Sequence, residues 1–241
     1  MANFNTHIAV GAGASAVLGA SLLSMGVLTP PQAVLAFGLG TFGSLMPDID
    51  ADNSKSIGVS FTIISLLITI LAIFLKSSTY SIIEMIMMTG TIFYAVRFGM
   101  IGTFRKISKH RGMFHSIPVA FIWGVVTTIV MNIFFGLTPL ISWVYGIMFT
   151  WGYLVHLILD EMYSVDLNNR RMKRSSGTAF KFFKLKTTQD KIQNIIIYVS
   201  LYLLISIAPN TASVEKALFS QKAFDTFINV LIPYDGKWFI H

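Results

Sequence analysis

Four histidines and three aspartates stand at the ends of apolar runs, and these are residue types that hold divalent metals. His156 and Asp160 are four apart in VHLILDEM. On a helix that spacing puts both on one face, one turn apart, where a single ion can bridge them. His110 and His115 bracket the run HRGMFHS. Gly112 lets this loop bend, and Arg111 offers a planar cationic fork suited to phosphate or carboxylate. Ser116 followed by Ile117 and Pro118 is a helix-start signal, so His115 stands just before a helix N-terminus, whose amides favour anions. Asp48 and Asp50 lie in LMPDID, where Pro47 discourages helix at Met46. In an extended loop two residues at i and i+2 point the same way. A calcium-binding EF-hand is excluded, because the sixth position from Asp48 is Asn53 and the twelfth is Val59, where glycine and glutamate are required. His7 comes directly before the first apolar run, with Asn5 or Thr6 available as a helix cap.

Each of these features alone has a purely structural reading: a helix-end histidine, a basic membrane-edge loop, a polar turn. Together they are harder to dismiss. Ionisable groups at membrane level cost free energy unless they find partners, and a shared divalent ion is the simplest partner for all of them. His7, Asp48, Asp50, His110, His115, His156 and Asp160 are therefore the candidate metal ligands. A histidine and aspartate set without thiols suits zinc, with manganese or iron as alternatives, and one or two ions. With two ions, positions remain for water and substrate. Arg111, Asp50 and His115 are the candidate catalytic residues: Arg111 to stabilise developing negative charge, the other two as ligands or adjacent bases.

The elements that must position these residues are set by composition. Of 241 residues, 54% are hydrophobic and 12% charged, about half the charged share of a soluble protein. That is too little polar surface for a soluble fold of this size and predicts a membrane protein. It excludes a disordered chain. The absence of cysteine excludes disulfide scaffolds, zinc fingers and thiol nucleophiles. Seven apolar runs approach the length needed to span a bilayer: Ile8 to Leu28, Ala33 to Met46, Ile57 to Leu75, Ile82 to Phe104, Ile117 to Leu137, Leu140 to Leu159 and Ile192 to Ala208. The second is short enough to be a re-entrant helix. The stretch MANFNTH has no Lys or Arg, so no cleavable signal peptide is expected. Gly11, Ser15 and Gly19 make one face of the first helix small enough for close packing.

If all seven runs cross, thirteen Lys and Arg fall on the N-terminal side and four on the other. The positive-inside rule then places the N-terminus in the cytoplasm and explains the formal charge of +7. The expected fold is all-α. It is a polytopic transmembrane helical bundle of about six to seven membrane helices over residues 1–208, with a basic cytoplasmic loop at 161–191. An amphipathic C-terminal segment follows at 209–241, its apolar positions Val214, Ala217, Leu218, Phe224, Ile228 and Leu231 at helical spacing. The run AFKFFKLK from Ala179 to Lys186 interleaves Lys and Phe, which suits an anionic membrane surface. Stacking on single-stranded nucleic acid is the weaker reading.

The order Thr6–His7, Pro47–Asp50, His110–Ser116 and His156–Asp160 resembles the YdjM-like family over roughly the first 160 residues. Met46 stands where the family pattern has leucine, and Phe114 where it often has threonine. These are inner-membrane proteins described as metal-dependent hydrolases and sometimes as LexA-binding. The resemblance implies a bacterial-type inner (plasma) membrane location, a metal site at those motifs and hydrolytic chemistry. The ligand type is also similar to that of zinc-dependent phospholipase C and its nuclease relatives, which favours phosphoesters. No HEXXH helix is present, which weakens a zinc-protease reading.

The expected function is a membrane-embedded metal-dependent hydrolase with its site at the cytoplasmic membrane face. It would cleave a phosphoester of a phospholipid or other amphiphile by metal-activated water. The rival classes are a non-enzymatic membrane protein with a structural or regulatory metal, a metal-ion transporter, and a DNA-associated regulator using the basic loop. Oligomeric state is left open.

Overall fold

The computed structural model describes residues 4–50, 58, 61–62, 65–66, 69–70, 73, 80–99, 115–166, 171–172, 182–183 and 187–232. The described helices are α1 (Phe4–Ser24), α2 (Pro30–Gly43), α3 (Ile82–Tyr94), α4 (Ile117–Ile133), α5 (Pro139–Ser164), α6 (Thr188–Ile207), α7 (Ala212–Leu218) and α8 (Gln221–Leu231). The expected all-α class is what these residues show. Among them the exception is one antiparallel pair of two-residue strands, Val165–Asp166 with Arg171–Met172. The chain divides into two compact units, Met1–Ser44 with His115–His241, and Leu45–Phe114.

The Leu45–Phe114 unit opens with a 3-10 helix, Met46–Asp50. The extended backbone expected for LMPDID is thus corrected. The fixed φ of Pro47 suits a 3-10 turn as well as it suits a strand, so the two-residue alternation of an extended loop does not apply to this backbone. Helix α3 begins with a capping box: the Ser81 amide donates to Glu84 Oε2 at 2.8 Å, and the Glu84 amide donates to Ser81 Oγ at 3.4 Å. It continues into a π turn at Ala95–Gly99.

In the other unit, α1 begins at Phe4, so His7 lies inside its first turn and not ahead of the helix. Helix α1 ends in a Schellman turn. The Val27 amide donates to Leu22 O and the Gly26 amide to Leu23 O, with Gly26 at φ +71°. A Cβ at that φ is strained, so Gly26→Ala is expected to cost about 1 kcal/mol. The check is the thermal midpoint of detergent-solubilised protein beside Gly13→Ala, where a Cβ meets nothing within 4 Å.

Five-residue connections, 25–29 and 134–138, join α1 to α2 and α4 to α5, and each pair packs antiparallel. Small residues set how closely the helices approach. A Cβ on Gly11 would strike Ser44, one on Gly40 would strike Ser15, and one on Gly43 would strike the Phe149 carbonyl. Gly124 and Thr128 of α4 interlock with Gly146 and Thr150 of α5 in the same way. This is small-residue packing of the kind membrane helices use in place of a hydrophobic driving force. Helix α6 packs on α4, and Trp143 Nε1 near the start of α5 donates to Pro209 O just after α6, at 2.9 Å. One end of this bundle therefore gathers the start of α1, the end of α2, the start of α4 and the last turns of α5.

Among the described residues three helices are long and apolar enough to cross a bilayer: Asn5–Ser24, Pro139–Tyr163 and Thr188–Ile207. Ile82–Tyr94 and Ile117–Ile133 are apolar but shorter. Ile195, Ile196, Val199, Tyr202 and Leu203 of α6 are exposed. A helix with so little of its apolar surface covered suits contact with lipid. The single amphipathic helix expected near the C-terminus is two helices. Ser220 accepts a bond from the Ala223 amide at 3.2 Å and so caps a new helix, α8, where α7 would otherwise continue. Of the AFKFFKLK run, Phe182 and Phe183 are described. Tyr198 Oη donates to Phe182 O at 2.9 Å, and the Phe183 and Tyr198 rings stack.

Candidate metal centre

The spacing argument for α5 is realised directly. His156 and Asp160 face the same way, with Nε2 of the histidine 3.5 Å from Asp160 Oδ2. The HxxxD pair does not stand alone. His7, brought by α1, places Nε2 3.4 Å from Asp160 Oδ1. His115, just before α4, places Nε2 3.6 Å from Asp160 Oδ2. Three imidazoles from three segments thus point the same ring nitrogen at one carboxylate. The His7 and His156 rings lie stacked, centroids 3.7 Å apart and 13° from parallel, while His115 is tilted 59° from His156.

The local sequence explains how the cluster is held. Gly152 of α5 stands one turn before His156, and a Cβ there would strike the Gly40 carbonyl of α2. Without that Cβ the two backbones close up, and His156 Nδ1 reaches Ser44 O at 2.7 Å. A carbonyl can only accept, so Nδ1 carries the proton and, in the neutral ring, Nε2 carries the lone pair turned towards Asp160. Ser44 Oγ donates to Thr41 O at 2.7 Å and lies 3.3 Å from His7 O, which joins the end of α2 to the first turn of α1. Ser116 is the residue before α4, with extended backbone as its helix-start signal predicts, although its hydroxyl does not cap the helix.

The donor set fits a cation. A charge-assisted N–H···O bond closes to about 2.7–2.9 Å, whereas these nitrogen–oxygen separations are 3.4–3.6 Å. Two ligand atoms each ~2.1 Å from one tetrahedrally held zinc lie about 3.4 Å apart. Ligand atoms of His115, His156 and Asp160 all lie within 4.8 Å of one another. Among the described residues neither nitrogen of the His7 ring has a hydrogen-bond partner, although the side chain is only 1% exposed. His156 is fully buried, Asp160 nearly so, and His115 is the most accessible member at 16%.

Of the other residues singled out in the sequence, Asp48 lies on the 3-10 turn of the Leu45–Phe114 unit. His110 and Arg111 lie outside the described residues, as does the side chain of Asp50. Sequence reasoning passed over Ser44, the small-residue pair Gly40/Ser44, and Gly152 one turn before His156. Their four-residue spacing was the available signal, but the role of Ser44 is played by its backbone carbonyl, which no residue type announces.

A family model described as YdjM inner membrane protein matches residues 1–207. No curated protein matches the chain, and no solved structure does.

Proposed function

We propose, from the premise that this chain belongs to the YdjM inner membrane protein family, that it is a multi-pass metal-dependent hydrolase of amphiphilic phosphoesters. The carrying observation is the convergence of His7, His115 and His156 on Asp160 at one end of an apolar bundle. In this reading these four side chains are metal ligands. Asp48 and Asp50 add hard oxygen ligands. Chain length allows this, since Asp48 follows Ser44 by four residues and cannot be more than about 14 Å from it. His110 is the further nitrogen ligand in the reading. Zinc is the favoured ion, with manganese or iron as alternatives. Such an ion, when bound, supplies a water acidic near neutrality and polarises a phosphoryl oxygen.

The protein's own groups then have defined tasks. Ser44 O holds His156 in one tautomer, so its Nε2 stays available as a ligand. His115, the most accessible of the four, stands on the open side, beside the α4 N-terminus, where backbone amides favour an anionic group. Arg111 is proposed to carry phosphoryl charge, and Asp50 and His115 to handle the proton of the attacking water. The distribution of basic residues supports placing this end of the bundle, and the N-terminus, in the cytoplasm. A lipid or another membrane-borne amphiphile reaches such a site without leaving the bilayer surface.

A structural metal is the second reading, favoured by the near-complete burial of His7, His156 and Asp160. One experiment separates the two. Metal content is measured on detergent-purified native protein, His115→Ala and His156→Ala, with phosphoesterase activity on phospholipids of several headgroups alongside. The expected result is stoichiometric metal and turnover in the native protein, and less than a tenth of both in the variants. Equal metal in all three ends the shared-site reading. Bound metal without turnover on any headgroup transfers the conclusion to the structural reading.

A further inference from the structure

At the end of the bundle opposite the histidine cluster, two cavities adjoin and share Met25 and Ala223. The first, about 270 Å³, is lined by Lys216, Lys222, Ser220 and Thr226 beside the α1–α2 turn. The second, about 260 Å³, is walled by Leu18, Leu22, Val144, Phe219 and Phe227. One is cationic and hydroxylated, the other almost wholly apolar.

Lys216 comes from α7 and Lys222 from α8, and neither is ion-paired among the described residues. The two carboxylates of this segment do not line either cavity and are engaged elsewhere. Glu215 Oε1 accepts from Thr211 Oγ1 at 2.7 Å, and Asp225 Oδ1 accepts from Gln221 Nε2 at 3.1 Å. Two lysines therefore line one cavity, and among the described residues no carboxylate lines it with them. Exposed Phe224 and Leu231 on α8 and exposed Phe219 before it suit a segment lying in the membrane interface.

We propose that the paired cavities bind one anionic phospholipid, its phosphate between Lys216 and Lys222 and the upper part of an acyl chain in the apolar cavity. Charge complementarity selects the head, and the shared wall at Met25 and Ala223 selects a ligand whose anion and hydrocarbon are joined. A free phosphate would fill the first cavity only and gain nothing from the second. A zwitterionic lipid would fill the second and present a compensated head to the lysines. This site shares no residue with the histidine cluster and does not depend on the hydrolase reading.

The test is native mass spectrometry of the full-length protein released from detergent with added phosphatidylglycerol or phosphatidylcholine. Lys216→Gln/Lys222→Gln and Phe227→Ser are run in parallel, and metal content is recorded for each. Native protein should retain one phosphatidylglycerol in preference to phosphatidylcholine. The preference should fall about five-fold for each lysine removed, with metal content unchanged. Phe227→Ser should weaken both lipids, and 0.5 M salt should bring phosphatidylglycerol down to the phosphatidylcholine level in the native protein. Glycerol phosphate at millimolar concentration should not compete. Equal retention of the two lipids by native protein, an unchanged preference in the lysine variant, or full competition by glycerol phosphate overturns the proposal.

Discussion

Asp160→Asn should abolish stable metal binding, lowering affinity by more than about 100-fold. Removing a group that merely supports a metal ligand costs 10–100-fold, and Asp160 is in contact with three imidazoles at once. The asparagine keeps the shape and removes the negative charge. A divalent ion held by neutral rings in a buried site then loses the one carboxylate that touches all three of them. Stability supplies an independent readout. An ion present at about 1,000 times its dissociation constant adds about 4 kcal/mol to the folded state. A strong chelator should therefore lower the thermal midpoint of native protein by several degrees and leave that of Asp160→Asn unmoved. Equal chelator shifts in the two proteins would show that the metal sits elsewhere.

What the sequence makes legible, and what it does not, follows from the range of the interactions. Helices are legible because apolar runs of this length have few alternatives to helix when charged residues are so sparse. Their ends are legible where a local signal is read, as at Ser116 before Pro118; Ser81 with Glu84 and Gly26 after α1 are signals of the same kind that a reading by apolar runs passes over. The same-face relation of His156 and Asp160 is fixed by 3.6 residues per turn and needs no tertiary knowledge. Two local judgements fail because a competing local rule was available. A proline permits a 3-10 turn as well as extended backbone, and Ser220 starts a helix inside what reads as one amphipathic run.

The approach of His7 to Asp160 is of another kind. It spans more than 150 positions and rests on which faces of α1, α2 and α5 can close up. Gly11, Ser15, Gly40 and Gly152 set that closeness. A lone histidine near a chain start carries no mark of it, and the Ser44 carbonyl carries none at all. Small residues recurring every four positions do mark a close helix pair, but only the packed bundle shows which side chains the pair then brings within reach. The two-unit division follows the same logic, since the small-residue contacts join α1, α2, α4 and α5, all of one unit.

Gly152→Ala tests whether that packing, rather than the ligands alone, builds the centre. A Cβ at this position would sit 2.8 Å from the Gly40 carbonyl carbon and 3.0 Å from the Ser44 amide nitrogen, closer still to the Gly40 oxygen. Backbone atoms cannot swing aside as a flexible side chain would, so α2 and α5 must separate. Overpacking of this kind costs about 1–3 kcal/mol. It should also lengthen the bond from His156 Nδ1 to Ser44 O, 2.7 Å in the native protein, and loosen the ring that presents Nε2. Metal affinity should therefore fall by about 10–100-fold although no ligand has been touched. Gly13→Ala is the matched control, since it adds the same methyl to a helix glycine with nothing within 4 Å, and helix propensity there favours alanine by up to about 1 kcal/mol. If Gly152→Ala binds metal and melts as Gly13→Ala does, the centre is held by its ligands and not by the approach of the two backbones. If Gly152→Ala loses both stability and metal while Gly13→Ala loses neither, the small-residue seam between α2 and α5 is what brings the histidines into register.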